Sequence, residues 1–141
     1  MLPAHMSEPT PGFVVSLRFR GGSPEATAAL LQALRDAVAL LATHAGFVDA
    51  RLGRATDDAN LVALQVGWTT VGAYRRALSS YEVKLTVVPL LSQAIDEPTA
   101  FEVLQVRDAA GALDAVGALA ADADAVSLGS AAAAFVPPAP S

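Results

Sequence analysis

Trp68 and Tyr74 stand six residues apart across a strand-to-helix junction, a spacing that can put an indole and a phenol at one pocket mouth. Two other placements stay open: Trp68 as a core residue sealing the sheet edge, and Tyr74 as a helix residue with its hydroxyl in water. Arg18, Arg51, Gln65 and Gln105 alternate onto sheet faces. Each either turns a donor inward, solvates an edge or pairs across a dimer interface. Arg75 and Arg76 read as a solvated helix face. An acid-base pair would need Asp49 or Glu102 to face inward. The histidines are His5, in a proline-rich start, and His44, at a helix end where an imidazole interacts with the helix dipole. Two histidines and no cysteine cannot furnish three imidazole or thiolate ligands from one chain, so no metal is expected. A Ser-His-acid triad would have to use His44, and no nucleophile motif surrounds it. Neither a dinucleotide fingerprint nor a phosphate loop is present.

The elements that must hold these residues follow from periodicity. Residues 12–20 alternate with period two, which predicts a strand with Phe13, Val15, Leu17 and Phe19 on one face. Gly21-Gly22 ends it. Ser23 offers a helix cap, Pro24 suits the first helical position, and Leu30, Leu31, Leu34, Val38 and Leu41 follow at helical spacing. Gly46 is expected to close that helix from the C′ position. Residues 47–55 predict a second strand with Val48, Ala50 and Leu52 on one face. A turn is expected at residues 57–60, then an apolar third strand at 61–68. Thr69 or Thr70 caps a second helix, which breaks near residues 79–80, resumes through Val88 and is ended or kinked by Pro89. Residues 99–107 alternate again as a fourth strand.

The order β-α-β-β-α-β predicts an α+β, ferredoxin-like domain over residues 12–107. Its four-stranded antiparallel sheet would carry both helices on one face. The opposite face is expected to be apolar too, and a second copy of the chain would cover it, making a homodimer. Residues 1–11 read as a flexible arm. Residues 108–141 read as an Ala/Pro-rich tail, with Leu113, Val116 and Leu119 able to form a short amphipathic helix. With 53% hydrophobic residues and a formal charge of -5, nothing suggests a nucleic-acid partner. No apolar run reaches a membrane span and no signal-peptide pattern opens the chain, so the expected location is the cytoplasm.

The stretch Val66-Gly67-Trp68-Thr69-Thr70-Val71-Gly72-Ala73-Tyr74 resembles the antibiotic biosynthesis monooxygenase family. So do the step His44-Ala45-Gly46-Phe47 and the return Pro98-Thr99-Ala100-Phe101-Glu102-Val103. The resemblance covers about residues 12–107. It implies a dimeric α/β barrel with a pocket between sheet and helices in each subunit. It also implies a monooxygenase that needs no cofactor and acts on a small phenolic, anthrone-like or quinol-type aromatic substrate with molecular oxygen. In that reading Tyr74 donates a hydrogen bond to a substrate oxygen and Trp68 forms the pocket wall. Arg18, Arg51 and Gln65 are substitute polar contacts. Leu64 stands where polyketide-oxidising members carry an Asn, and Val88 lies near the place of a helix Arg. The heme-degrading branch needs a histidine on the second helix, and residues 84–88 have none. Two alternatives accompany the oxygenase. One is a non-catalytic ligand-binding or accessory dimer, and the other is a polyketide cyclase or isomerase.

Overall fold

The alternation at the start becomes β1 (Phe13–Arg20), with Phe13, Val15, Leu17 and Phe19 all buried. The structure is a computed structural model and describes residues 10–115. Most of the expected arm, with His5, lies outside the described residues, as does the tail past Ala115 with Val116 and Leu119. In α1 (Pro24–Leu41) the Ser23 hydroxyl accepts from the Ala26 N–H at 3.0 Å, and Pro24 opens the first turn. Leu31, Leu34, Ala37 and Leu41 form the buried stripe that a period of 3.6 dictates.

α1 stops sooner than the glycine suggests. Ala42 is its C-cap, and the Thr43 hydroxyl donates to the Leu40 carbonyl at 2.7 Å. Local side chains therefore satisfy the last turn. Gly46, at φ 93°, is the left-handed residue that swings the chain into the next strand.

β2 (Phe47–Ala55) and β3 (Asp58–Trp68) are joined by residues 56–57, a tighter hairpin than the expected four-residue turn. Asp58 is drawn into the strand, where its carboxylate accepts from the Asn60 N–H at 3.1 Å and from Arg20 at 3.0 Å. Helix α2 (Val71–Leu78) is capped by Thr70, whose hydroxyl accepts from the Ala73 N–H at 3.1 Å. The break at 79–80 leads to α3 (Tyr81–Thr86) and then α4 (Val88–Leu91). Pro89 sits in the first turn of α4, where no N–H is needed, so it begins a helical piece instead of ending one.

The expected fourth strand divides into β4 (Ala100–Glu102) and β5 (Gln105–Asp108), and β5 forms a separate hairpin with β6 (Gly111–Asp114). Leu113 belongs to β6, not to a helical turn, and is 57% exposed. The main sheet has the order β2-β3-β1-β4 with every pair antiparallel. This is the α+β, ferredoxin-like arrangement.

The second face of the sheet departs from the apolar expectation. Ser16, Arg18 and Arg20 of β1, Gln65 of β3 and Arg51 of β2 stand there beside Val14. A register shift between Phe47 and Asp49 places a bulge at Val48. Val48 therefore leaves the face of Ala50 and Leu52 and lines a groove on the outer side with Val14 and Gln65. No helix among the described residues is long and apolar enough to cross a membrane.

Gly46 provides a check on this loop. A Cβ added there meets the Ala73 side chain on α2 and sits at an unfavourable positive φ. Gly46→Ala should lower stability by about 1–3 kcal/mol, read as a reduced urea midpoint with an unchanged slope.

Candidate functional site

Strand register builds the site. Phe13 pairs with Trp68, and Trp68 pairs with Phe47 on its other side, so three aromatic residues line up across β1, β3 and β2. Thr70 caps α2 just past Trp68, and the first turn swings Tyr74 back over them. The Trp68 and Tyr74 ring centroids are 5.8 Å apart, and Phe13 and Tyr74 are 5.5 Å apart. Phe47 meets Trp68 edge-on at 5.6 Å. Trp68 is 0% exposed, and its Nε1 is buried with no hydrogen-bond partner among the described residues. Leaving such a donor unpaired costs about 1–3 kcal/mol. Burial alone pushes the Tyr74 phenol from 10.0 up to about 12. Tyr74 therefore stays a neutral donor at any physiological pH.

Tyr74 borders a cleft of about 400 Å³ between the inner sheet face, the helices and the segment that follows α4. Leu17, Leu78, Val88, Leu91 and Ile95 give it apolar walls, and Ser92, Asp96, Glu97 and Thr99 supply the polar groups. Three lining residues come from positions 17–78 and the other eight from positions 88–99. Trp68 does not line the cleft. It backs Tyr74 from the core.

The structure divides the residues singled out by sequence. Leu64 is fully buried on the inner face, directly across from the cleft residue Leu17. Arg51 and Gln65 lie on the outer face, in a separate groove of about 590 Å³ that also holds Asp49 and Glu102. Arg51 Nη1 is 3.9 Å from the Asp49 carboxylate there. Gln105 donates to Asp114 within the β5–β6 hairpin at 2.7 Å. The idea that any of these turns inward beside Tyr74 is thus corrected. A pleated strand sends odd and even positions to opposite faces, and Arg51 and Gln65 have the parity of the outer one, while Gln105 belongs to the separate β5–β6 sheet.

Arg18 also leaves from the outer face, but it reaches around the sheet edge. Its Nε and Nη2 donate to the two Glu97 carboxylate oxygens at 2.9 and 2.8 Å. Those bonds hold the Glu97 carboxyl below the usual carboxylate range, against a smaller desolvation effect. Backbone bonds from Ile95 N–H to Arg18 O at 2.7 Å and from Ser16 N–H to Thr99 O at 2.7 Å fix the same segment to β1. His44 occupies the helix end as expected. Its Nδ1 lies 3.2 Å from the Leu40 carbonyl, which can only accept, so that nitrogen carries the proton. Its Nε2 is 3.2 Å from the Ser80 hydroxyl, which ties α1 to the start of α3.

Sequence reasoning missed the 92–99 wall. Those residues have no helical or strand period, and the one available signal was the acidic pair Asp96-Glu97 after an apolar run.

The family model described as "Antibiotic biosynthesis monooxygenase" matches residues 12–87. Among solved structures, the fold resembles SnoaB, a cofactor-independent oxygenase from Streptomyces nogalater. Identity is 24%, with 69% of this chain and 97% of that chain covered and a TM-score of 0.58. Rv0793 from Mycobacterium tuberculosis is similar at 17% identity, covering 71% of this chain and 99% of that one, with a TM-score of 0.53. PA3566 from Pseudomonas aeruginosa gives 15%, 70%, 97% and 0.52 in the same order. No curated protein matches the sequence.

The buried phenol has a measurable consequence at high pH. Its proton is held more tightly in the folded state than in the unfolded chain, since its value rises from 10.0 to about 12 on folding. The associated stability is present below pH 10 and is lost as pH rises toward 12. Urea unfolding should show about 2–3 kcal/mol lost across that window. The Tyr74→Phe variant should lack that part of the decline.

Proposed function

The chain belongs to the antibiotic biosynthesis monooxygenase family, and on that premise we propose that it is a cofactor-independent monooxygenase. Its substrate in this reading is a small phenolic, anthrone-like or quinol-type aromatic molecule, with molecular oxygen as co-substrate. One observation carries the proposal: Tyr74, backed by the buried Trp68, puts a neutral phenol donor at the wall of a cleft with apolar sides.

The chemistry asks little of the protein beyond binding, orientation and dryness. An electron-rich substrate of the anthrone type gives a proton to solvent water at the mouth of the cleft and becomes a delocalised anion. That anion passes one electron to oxygen, and the resulting radicals join in a new C–O bond. Protonation gives a hydroperoxide, which loses water and leaves a ketone. One oxygen atom ends in the product and the other in water, so a ring methylene and dioxygen become a ring ketone and water. Tyr74 donates to the substrate oxygen where negative charge develops, and its high pKa keeps it in the donating form. Trp68 fixes the Tyr74 ring from behind. Leu17, Leu78, Val88 and Leu91 exclude water from the anion.

A second reading, a ligand-binding dimer without catalysis, draws support from Leu64. The side chain is buried where a polar partner for a keto oxygen would be needed. The cyclase reading loses ground, because Asp49 lies on the outer face, away from Tyr74. The homodimer belongs to the same proposal, with the exposed Phe101, opposite Val14, as part of the surface that a second copy would cover. A sedimentation mass near twice that of the chain is the expected result. The cytoplasm is the proposed location.

Oxygen uptake by metal-stripped protein with a panel of anthrones and hydroquinones tests the reaction. Tyr74→Phe should lower the rate by about 10²–10³. Uptake unchanged by that substitution would remove Tyr74 from the site. Uptake no faster than the buffer rate across the whole panel would favour the ligand-binding reading.

A further inference from the structure

The charges around the cleft are arranged unevenly. None of the described residues that line it is a lysine or an arginine, while Asp96 and Glu97 are both acidic. The two carboxylates are not equivalent. Glu97 is met on both oxygens by Arg18, at 2.9 and 2.8 Å, so most of its charge is answered before a ligand arrives. Asp96 has no ion pair among the described residues. The cleft thus carries one uncompensated negative charge beside apolar walls, in a chain whose formal charge is already -5.

We infer that this cleft selects aromatic substrates that carry no acid group and favours those bearing a cationic substituent, with Asp96 as the residue that makes the choice. The inference rests on the cleft being the substrate site. A carboxylated or sulfonated ring would enter beside Asp96 with no cation to receive it. It would give up hydration and gain repulsion. An ammonium substituent reverses both effects, and the field of the whole acidic chain adds to the same preference. The choice also suits the proposed reaction. A cationic substituent makes the substrate's own hydroxyl group more acidic, which helps form the anion in a site whose phenol is a donor and not a base. The ring goes to the apolar walls, the reacting oxygen to Tyr74 and the cation to Asp96.

Trp68 is the only tryptophan in the chain and lies 5.8 Å from the cleft residue Tyr74, so its fluorescence reports occupancy without turnover. The test titrates three 1,4-dihydroxynaphthalenes under anaerobic conditions, bearing a methyl, a carboxylate or an aminomethyl group. The wild-type protein should bind the aminomethyl compound about three- to five-fold more tightly than the methyl one, and the carboxylate more weakly by a similar factor, as an exposed charge contact allows. Asp96→Asn should collapse this spread and Asp96→Lys should invert it, with near-UV circular dichroism confirming the fold. High salt should narrow the wild-type spread. The inference is overturned if the carboxylate binds as well as the methyl compound, if Asp96→Asn leaves the order intact, or if no compound quenches Trp68.

Admitting air then separates this from the oxygenase reading. The expected order without oxygen consumption would leave the selection standing and remove the oxygenase. Consumption that favours the carboxylate would do the reverse.

Discussion

The pairing of β1 with β3 is the constraint on which the remaining structure hangs. Eight consecutive positions are in register, from Phe13 opposite Trp68 to Arg20 opposite Leu61. A slip of one residue, with β3 keeping its faces, would turn Val14 inward and Phe13 outward. The aromatic row would dissolve, and Tyr74 would have nothing to pack upon. The register is secured by its own burial pattern, because each inner pair joins two apolar side chains. Sheet formation and site formation are thus one event. The residues that bury most area are also those that aim the phenol.

The site shows how burial and chemistry are balanced. Desolvating Tyr74 and Trp68 has an energetic cost, since a phenol and an indole N–H both prefer a polar partner. The surrounding aromatic contacts offset that cost. What results is a pair of neutral groups held in an apolar setting, the phenol at the cleft wall and the indole behind it. Other polar groups are already satisfied. Arg18 is committed to Glu97, and the Thr27 hydroxyl donates to Asn60 at 2.9 Å at the opposite end of β3.

Much of this was readable in the sequence, for identifiable reasons. The strands β1 and β3 alternate cleanly, and Ser23-Pro24 and Thr70 mark helix starts by cap chemistry that acts locally. The Trp68–Tyr74 pairing follows from an element boundary between them. What was not readable depends on events between elements. Local capping by Thr43 and His44 ended α1 before Gly46, and the bulge at Val48 reversed the parity of its neighbours. No single-strand pattern tells which face of a sheet the helices will cover, so Arg51 and Gln65 were equally open to either side. The segment 92–99 has no period at all. Its position comes from hydrogen bonds to β1, partners some eighty residues away in sequence.

That segment bears on how such a protein changes over generations. The family match ends at residue 87, while eight of the eleven residues lining the cleft lie beyond it. The β1–β3 scaffold and the Trp68–Tyr74 pair lie within the matched residues. Most of the cleft wall belongs to a stretch held mainly by backbone bonds and one ion pair. Side chains such as Ser92 and Asp96 are exposed, so drift can exchange them without unseating the sheet. A few substitutions in this wall could then change which molecules the cleft accepts while leaving the sheet and its folding stability in place.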